Sequence, residues 1–154
     1  MQYRTIIRLV LLSIFISFTI PTHSQALFGI FEGQHKTVKA KNGEVTLAID
    51  RVNDGKAHYF SFKDGGKQVH FFVIKSRDGV IRAAFDACDV CFPEKKGYSQ
   101  EGDSMICNNC GRKFHSTRIN EVKGGCNPAP LKRTTRDNLL VIQATDILDG
   151  ARYF

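Results

Sequence analysis

The residues most able to bind a metal or take part in redox chemistry are five cysteines, all in the second half of the chain. Four of them form two Cys-x-x-Cys pairs, Cys88 with Cys91 and Cys107 with Cys110, separated by fifteen residues. Two cysteines three positions apart on a tight turn can direct both sulfurs at one point, so two such turns supply four thiolates. Gly111 follows directly and permits a sharp turn. The spacing therefore predicts one metal or cofactor site formed by Cys88, Cys91, Cys107 and Cys110.

The same spacing leaves other kinds of site open. Each Cys-x-x-Cys pair could instead close a disulfide, either structural or redox-active. A thioredoxin-type pair needs a helix after its first cysteine, whereas residues 92–103 (FPEKKGYSQEGD) are polar and predict a loop. Four thiolates suit a zinc ion, a single iron ion or a [2Fe–2S] cluster, and the spacing does not separate these.

Two further residues are candidates for the same site. Cys126 is the odd cysteine, and it could be an additional ligand, a disulfide partner or a thiol that lines the site. His115 lies five positions after Cys110, where it could act as a ligand, hydrogen-bond a sulfur or simply be an exposed histidine beside a turn. The chain thus contains one predicted four-cysteine site and two residues that could modify it.

The elements that must position these residues are predicted to be β-strands. Alternating apolar residues are bounded by turn sequences such as Asn53-Asp54-Gly55, and no amphipathic helix separates them. The predicted strands are residues 44–52, 56–62, 68–75, 80–87, 104–106 and 139–144. Residues 123–130 (KGGCNPAP) predict a rigid loop around Cys126. The fold class is therefore all-β, a small antiparallel sandwich or barrel with two metal-binding loops.

The N-terminus carries the features of an export signal. Arg4 and Arg8 precede a 12-residue apolar run, residues 9–20, and Ser24-Gln25-Ala26 fits a signal-peptidase site. Spanning a bilayer takes about 20 apolar residues, so an uncleaved N-terminal anchor is the alternative interpretation. We expect a signal peptide over residues 1–26, an N-terminal arm over 27–43 and one domain over 44–154. The expected location is the periplasm, with no stable membrane span after cleavage.

The net charge of the chain and the motifs that it lacks argue against some classes of function. Without Arg4 and Arg8, 20 Lys and Arg remain against 15 Asp and Glu, a net charge of +5. Because the basic residues are scattered and the chain is predicted to be exported, no nucleic-acid partner is expected. Hydrolase and phosphate-binding motifs are absent from the sequence. Asp86 and Asp89 flank Cys88 and would oppose a nucleophilic thiolate, so we expect no enzymatic activity.

The second half of the chain resembles a Rieske-type domain. The segment CNNCGRKFHSTRINEVKGGCNPAPL, which begins at Cys107, contains a cysteine turn, a glycine, a phenylalanine and a Pro-Ala-Pro loop in the Rieske order. A Rieske centre uses two cysteines and two histidines, whereas Cys91 and Cys110 stand about where the histidines would be. The resemblance therefore implies a Rieske-like core whose cluster is more negatively charged and has a lower reduction potential.

A second resemblance covers residues 43–144. The motifs HFFVIKSRDGVIRAAFDACDVC, KGYSQEGDSMICNNCG and GGCNPAPL resemble the cysteine-rich extracytoplasmic domain of the FtrD-like membrane iron–sulfur proteins. This implies an iron–sulfur electron-transfer module linked to bacterial ferrous-iron uptake, with membrane components of an iron-uptake or redox system as partners. A zinc-stapled binding domain and an iron or copper carrier remain the alternative functions.

Overall fold

A computed structural model describes residues 35–154, and the predicted signal peptide over residues 1–26 lies outside them. The described chain contains ten strands and one α-helix: β1 (Lys36–Val38), β2 (Glu44–Ala48), β3 (His58–Asp64), β4 (Lys67–Lys75), β5 (Ile81–Phe85), β6 (Tyr98–Glu101), β7 (Ser104–Cys107), β8 (Lys113–His115), β9 (Thr134–Arg136), β10 (Leu139–Gln143) and α1 (Ala144–Asp149). Short 3₁₀ turns connect several of them. Among residues 35–154, no helix is both long and apolar enough to cross a bilayer.

The strands form three sheets. The largest has the order β1-β3-β4-β5, and the two smaller ones have the orders β2-β10-β9 and β6-β7-β8. All pairings between these strands are antiparallel except that of β1 with β3, which is parallel. The all-β, antiparallel prediction is therefore confirmed.

Strand β4 is the centre of the largest sheet and is buried on both faces. Val69, Phe71 and Val73 point into a first core, whereas Phe72 and Ile74 point into a second one. A strand covered on both faces needs an almost continuous apolar sequence, which explains why β4 contains the run VHFFVI. We call these the main core and the site-side core, because the second contains the buried cysteines Cys88 and Cys107.

Several details differ from the sequence predictions. The predicted loop over 92–103 is wrong, since Phe92–Glu94 forms a 3₁₀ turn and β6 occupies Tyr98–Glu101. The strand predicted over 44–52 ends at Ala48, where a 3₁₀ turn begins. Residue 144 begins a helix and does not end a strand. Each error lies at an element of six residues or fewer, where packing against neighbours outweighs local propensity.

A buried arginine connects β5 to the chain that follows β8. The Arg82 side chain is 5% exposed, its Nε donates to the Ile119 carbonyl at 2.9 Å, and its terminal nitrogens donate to both Asp78 oxygens. The hydrogen bond from Arg82 lowers the pKa of Asp78 below its ordinary value. Asp78 therefore contributes stability that is present above its unfolded-state pKa and is lost as the pH falls through the lower folded-state value.

We predict that Asp78→Asn lowers the urea midpoint of unfolding at pH 7 and has little effect near pH 2. The asparagine keeps an acceptor for the backbone N–H of Val80 but removes the closer of the two carboxylates paired with Arg82, the other being Glu121 at 3.8 Å. Asp64→Asn is the matched control, because Asp64 also lies beside a hairpin turn and has no ion pair in residues 35–154. An equal loss in both variants, or a loss independent of pH, would contradict the role of Asp78.

Candidate metal centre

The first cysteine loop, residues 88–91, begins where β5 has delivered the chain to the end of the largest sheet. Cys88 is 1% exposed and belongs to the site-side core, whereas Cys91 is half-buried. The backbone N–H of Cys91 donates to the Cys88 sulfur at 3.2 Å, which closes the loop on its own first residue. A 3₁₀ turn at Phe92–Glu94 then leads the chain away.

The second cysteine loop, residues 107–111, is the turn between β7 and β8. Cys107 donates its backbone N–H to the Arg112 carbonyl at 3.0 Å, and its own carbonyl accepts from Gly111 at 2.8 Å. Gly111 has a φ of 72°, a conformation that a side chain would strain, so the glycine predicted to permit a sharp turn does so. Cys107 is buried and Cys110 is exposed, so the loop carries one sulfur inward and one to the surface.

Cys126 reaches the same place by a different route. The chain after it runs beside β5, where Ala129 donates to the Ala87 carbonyl at 2.9 Å and its carbonyl accepts from Phe85 at 2.8 Å. The hydroxyl of Tyr98 donates to the Cys126 carbonyl at 2.6 Å. The loop around Cys126 is thus attached both to the chain that leads from β5 into the first cysteine loop and to β6.

The sulfurs form two overlapping groups. The Sγ atoms of Cys91, Cys107 and Cys110 all lie within 4.8 Å of one another, and so do those of Cys88, Cys91 and Cys126. Cys91 belongs to both groups, and its sulfur lies 3.7 Å from that of Cys126. All five cysteines are free thiols. Thiols that converge in this way are the donor set that soft metal ions and iron–sulfur clusters require.

The structure brings together all four residues of the predicted site, but not as one compact group. Cys88 does not join Cys91, Cys107 and Cys110 within 4.8 Å, and Cys126 lies beside Cys88 and Cys91 instead. That the four hold a metal stays a prediction. His115 is exposed and hydrogen-bonds Thr117, and neither sulfur group includes a histidine. The site is therefore built from thiols alone.

The environment divides the thiols by acidity. Burial raises the pKa of the Cys107 thiol to about 11. A hydrogen bond from the backbone of Arg112 lowers the pKa of exposed Cys110 to about 7. For Cys88, burial acts to raise the pKa, but the polar groups around its sulfur, the Tyr98 hydroxyl and the backbone N–H of Cys91, outweigh it and leave the pKa below its ordinary value. Cys110 is therefore the sulfur that a solvent-borne ion or reagent meets first, partly as a thiolate.

Asp86 and Tyr98 help to position the cysteine loops, and the sequence did not predict these roles. One oxygen of Asp86 accepts the backbone N–H of Tyr98 at 2.7 Å, and the other lies 3.1 Å from Nε2 of His35. Gly97 makes room for this carboxylate, because a Cβ there would lie 2.5 Å from it. From the sequence, the only role predicted for Asp86 is that of an acidic neighbour of Cys88. The one usable signal was Tyr98, a large aromatic residue in an otherwise polar segment.

We predict that Tyr98→Phe destabilises the protein by about 1 kcal/mol, the usual net value of one hydrogen bond. The variant also releases the Cys126 carbonyl, so alkylation of the Cys126 thiol, measured by mass spectrometry, is expected to become faster. Tyr59→Phe is the matched control, because the Tyr59 hydroxyl donates to the Tyr98 carbonyl at 3.0 Å and not to the Cys126 carbonyl. Equal acceleration in both variants would show that Tyr98 does not hold that loop.

A mostly β domain in which two groups of three thiols converge has the donor set that a thiolate metal site or an iron–sulfur cluster would need. Residues 52–154 match the family model described as "Membrane iron-sulfur containing protein FtrD-like". The chain therefore belongs to the FtrD-like family, and the resemblance found in its sequence is confirmed. No curated protein matches the chain.

Solved structures of Rieske monooxygenases also match the chain, with low sequence identity and low TM-scores. One is the quaternary ammonium Rieske monooxygenase CntA with the inhibitor MMV12, with a TM-score of 0.43, 14% identity and coverage of 74% of this chain and 32% of that one. Another is CntA with its substrate gamma-butyrobetaine, with a TM-score of 0.42, 15% identity and coverage of 73% and 33%. The chain thus spans about a third of the length of these structures.

Proposed function

We propose that this protein is an exported iron–sulfur electron-transfer module that serves bacterial ferrous-iron uptake. Cys88, Cys91, Cys107 and Cys110 would hold a [2Fe–2S] cluster. The observation that carries the proposal is the convergence of two Cys-x-x-Cys loops, all of whose thiols are free, beside a buried core. Membership of an iron–sulfur family supports it.

The residues present fit such a cluster. Thiolates are the usual ligands of iron–sulfur clusters, and each loop offers two of them from a turn closed by its own backbone hydrogen bonds. A bound cluster supplies reversible one-electron oxidation and reduction. Two of the proposed ligands, Cys88 and Cys107, lie in the site-side core, which excludes water. A third, Cys110, lies at the surface. Such an arrangement leaves the Cys110 edge of the site at the surface, where an electron-transfer partner would reach it.

The charges around the site support a low reduction potential. Four thiolates carry two more negative charges than two thiolates and two neutral imidazoles, which makes addition of an electron harder. Three exposed basic residues follow the two loops in the sequence and would offset part of this charge: Lys95, Lys96 and Arg112. The expected potential lies below that of Rieske centres.

The remaining parts of the proposal concern where and with what the protein works. Membrane components of an iron-uptake or redox system are the proposed partners, in keeping with the family description. Val90, an exposed hydrophobic residue within the first cysteine loop, lies at the surface that such a partner would contact. The proposed location is the periplasm, the site carries electrons, and no catalytic role is assigned to it.

Anaerobic purification followed by metal and sulfide analysis tests the proposal. We expect iron and acid-labile sulfide in equal amounts, visible absorption, and an electron paramagnetic resonance signal after reduction with dithionite. Stoichiometric zinc in a colourless protein would instead show a zinc-stapled binding domain. Iron without sulfide would show a single-ion site and would contradict the cluster.

A further inference from the structure

The five sulfurs offer more ligands than a four-cysteine cluster uses. The sulfur of Cys126 lies 3.7 Å from that of Cys91 and within 4.8 Å of that of Cys88, so it reaches the first cysteine loop. It is held there by the backbone pairing of Ala129 with Ala87 and by the hydroxyl of Tyr98. The position of Cys126 is therefore set by the fold and does not depend on a free loop.

The distances within the site suit direct coordination. With metal–sulfur bonds of about 2.3 Å, two thiolates on one ion lie about 3.8 Å apart in a tetrahedral site and about 4 Å apart in a trigonal one. The sulfurs of Cys91 and Cys126 are separated by 3.7 Å. The group of Cys88, Cys91 and Cys126 can therefore surround an ion without a large movement of the backbone.

We propose that the protein, when it holds no cluster, binds two Cu(I) ions in a five-thiolate site. One ion would be held by Cys88, Cys91 and Cys126, the other by Cys91, Cys107 and Cys110, and the Cys91 thiolate would bridge them. Soft thiolate ligands select Cu(I), which accepts three-coordinate sites, whereas zinc in closed structural sites takes four ligands. No electron is transferred on binding, and each thiol that is still protonated releases its proton to solvent.

This second activity goes beyond the proposed electron-transfer function. The two forms exclude each other because they use the same four sulfurs, and only the copper form requires Cys126. The Cys126 variant therefore separates them, since it is expected to leave iron–sulfur assembly intact while removing one copper ion.

An anaerobic titration of the metal-free protein with Cu(I), in competition with the chromophoric chelator bicinchoninate, tests the inference. We expect two tightly bound ions in the wild type and one in both Cys126→Ser and Cys110→Ser, because each variant leaves a single intact three-sulfur group. X-ray absorption of the wild type is expected to show three sulfurs per copper and a copper–copper contact.

Two results would overturn the inference: one tightly bound ion in the wild type, or two in Cys126→Ser. Cys126→Ala serves as a second variant if the serine form does not fold, as judged by circular dichroism. Failure of the wild type to assemble an iron–sulfur cluster would count against the proposed function alone, because the copper stoichiometry is measured without iron.

Discussion

Cys107→Ser is expected to abolish assembly of the iron–sulfur cluster, with bound iron falling at least about tenfold. Cys107 is 2% exposed and its sulfur lies with those of Cys91 and Cys110. A serine hydroxyl at this buried position stays protonated and supplies no thiolate, and the burial leaves little room for water to replace it. Iron and sulfide content, visible absorption and the resonance signal of the reduced protein measure the loss.

Cys126→Ser is the matched control for that experiment. It removes a thiol that is also close to Cys91 but lies outside the four predicted cluster ligands. We expect it to retain iron and sulfide at wild-type ratios. If Cys107→Ser keeps its cluster, or if Cys126→Ser loses it to the same extent, the proposed ligand set is wrong.

Phe71→Ala is expected to lower the free energy of unfolding by about 3–5 kcal/mol, the usual cost of removing a buried phenylalanine. Phe71 is fully buried in the main core, on the central strand of the largest sheet, and its ring stacks on Phe60 with centroids 5.4 Å apart. Domains of this size are stable by only about 5–15 kcal/mol, so the variant loses a large share of the total. Equilibrium unfolding in urea measures it.

Phe72→Ala provides the comparison, because Phe72 is equally buried on the same strand but faces the site-side core. We expect a similar loss of stability in both variants. Only Phe72→Ala is expected also to weaken cofactor retention, measured as iron released to a chelator in conditions where both variants are folded. Equal release from both would show that the two faces of β4 do not act separately on the site.

The fold class was predictable because the main strands carry strong local signals. The continuous apolar run in β4 and the turn sequences on either side of it mark the centre of the largest sheet without any knowledge of its neighbours. Strand β6 was missed because its residues, YSQE, are mostly polar and their strand conformation depends on pairing with β7. The parallel pairing of β1 with β3 is a long-range contact that no local pattern announces.

The candidate site was predictable to a similar degree. The spacing of Cys88, Cys91, Cys107 and Cys110 indicated one shared site, but the sulfurs within 4.8 Å of one another are those of Cys91, Cys107 and Cys110, while Cys88 groups with Cys91 and Cys126. The sequence did not show that Cys91 would belong to both sulfur groups or that Cys126 would lie beside it. Cys126 is 35 positions after Cys91 in the sequence, and the segment that follows it is placed by hydrogen bonds to β5. A sequence shows the number of available ligands, but the grouping of sulfurs depends on how separate segments pack.

Because β4 is buried on both faces, residues on its cysteine side could be substituted while the main core is retained. One face belongs to a core that contains no cysteine, and the other belongs to the core that contains Cys88 and Cys107. The largest sheet therefore separates the main core from the site-side core and its cysteine loops. New ligands, or a new ion, could be introduced on the cysteine side while the main core is retained. In amide hydrogen exchange, loss of the cofactor should loosen the cysteine side selectively.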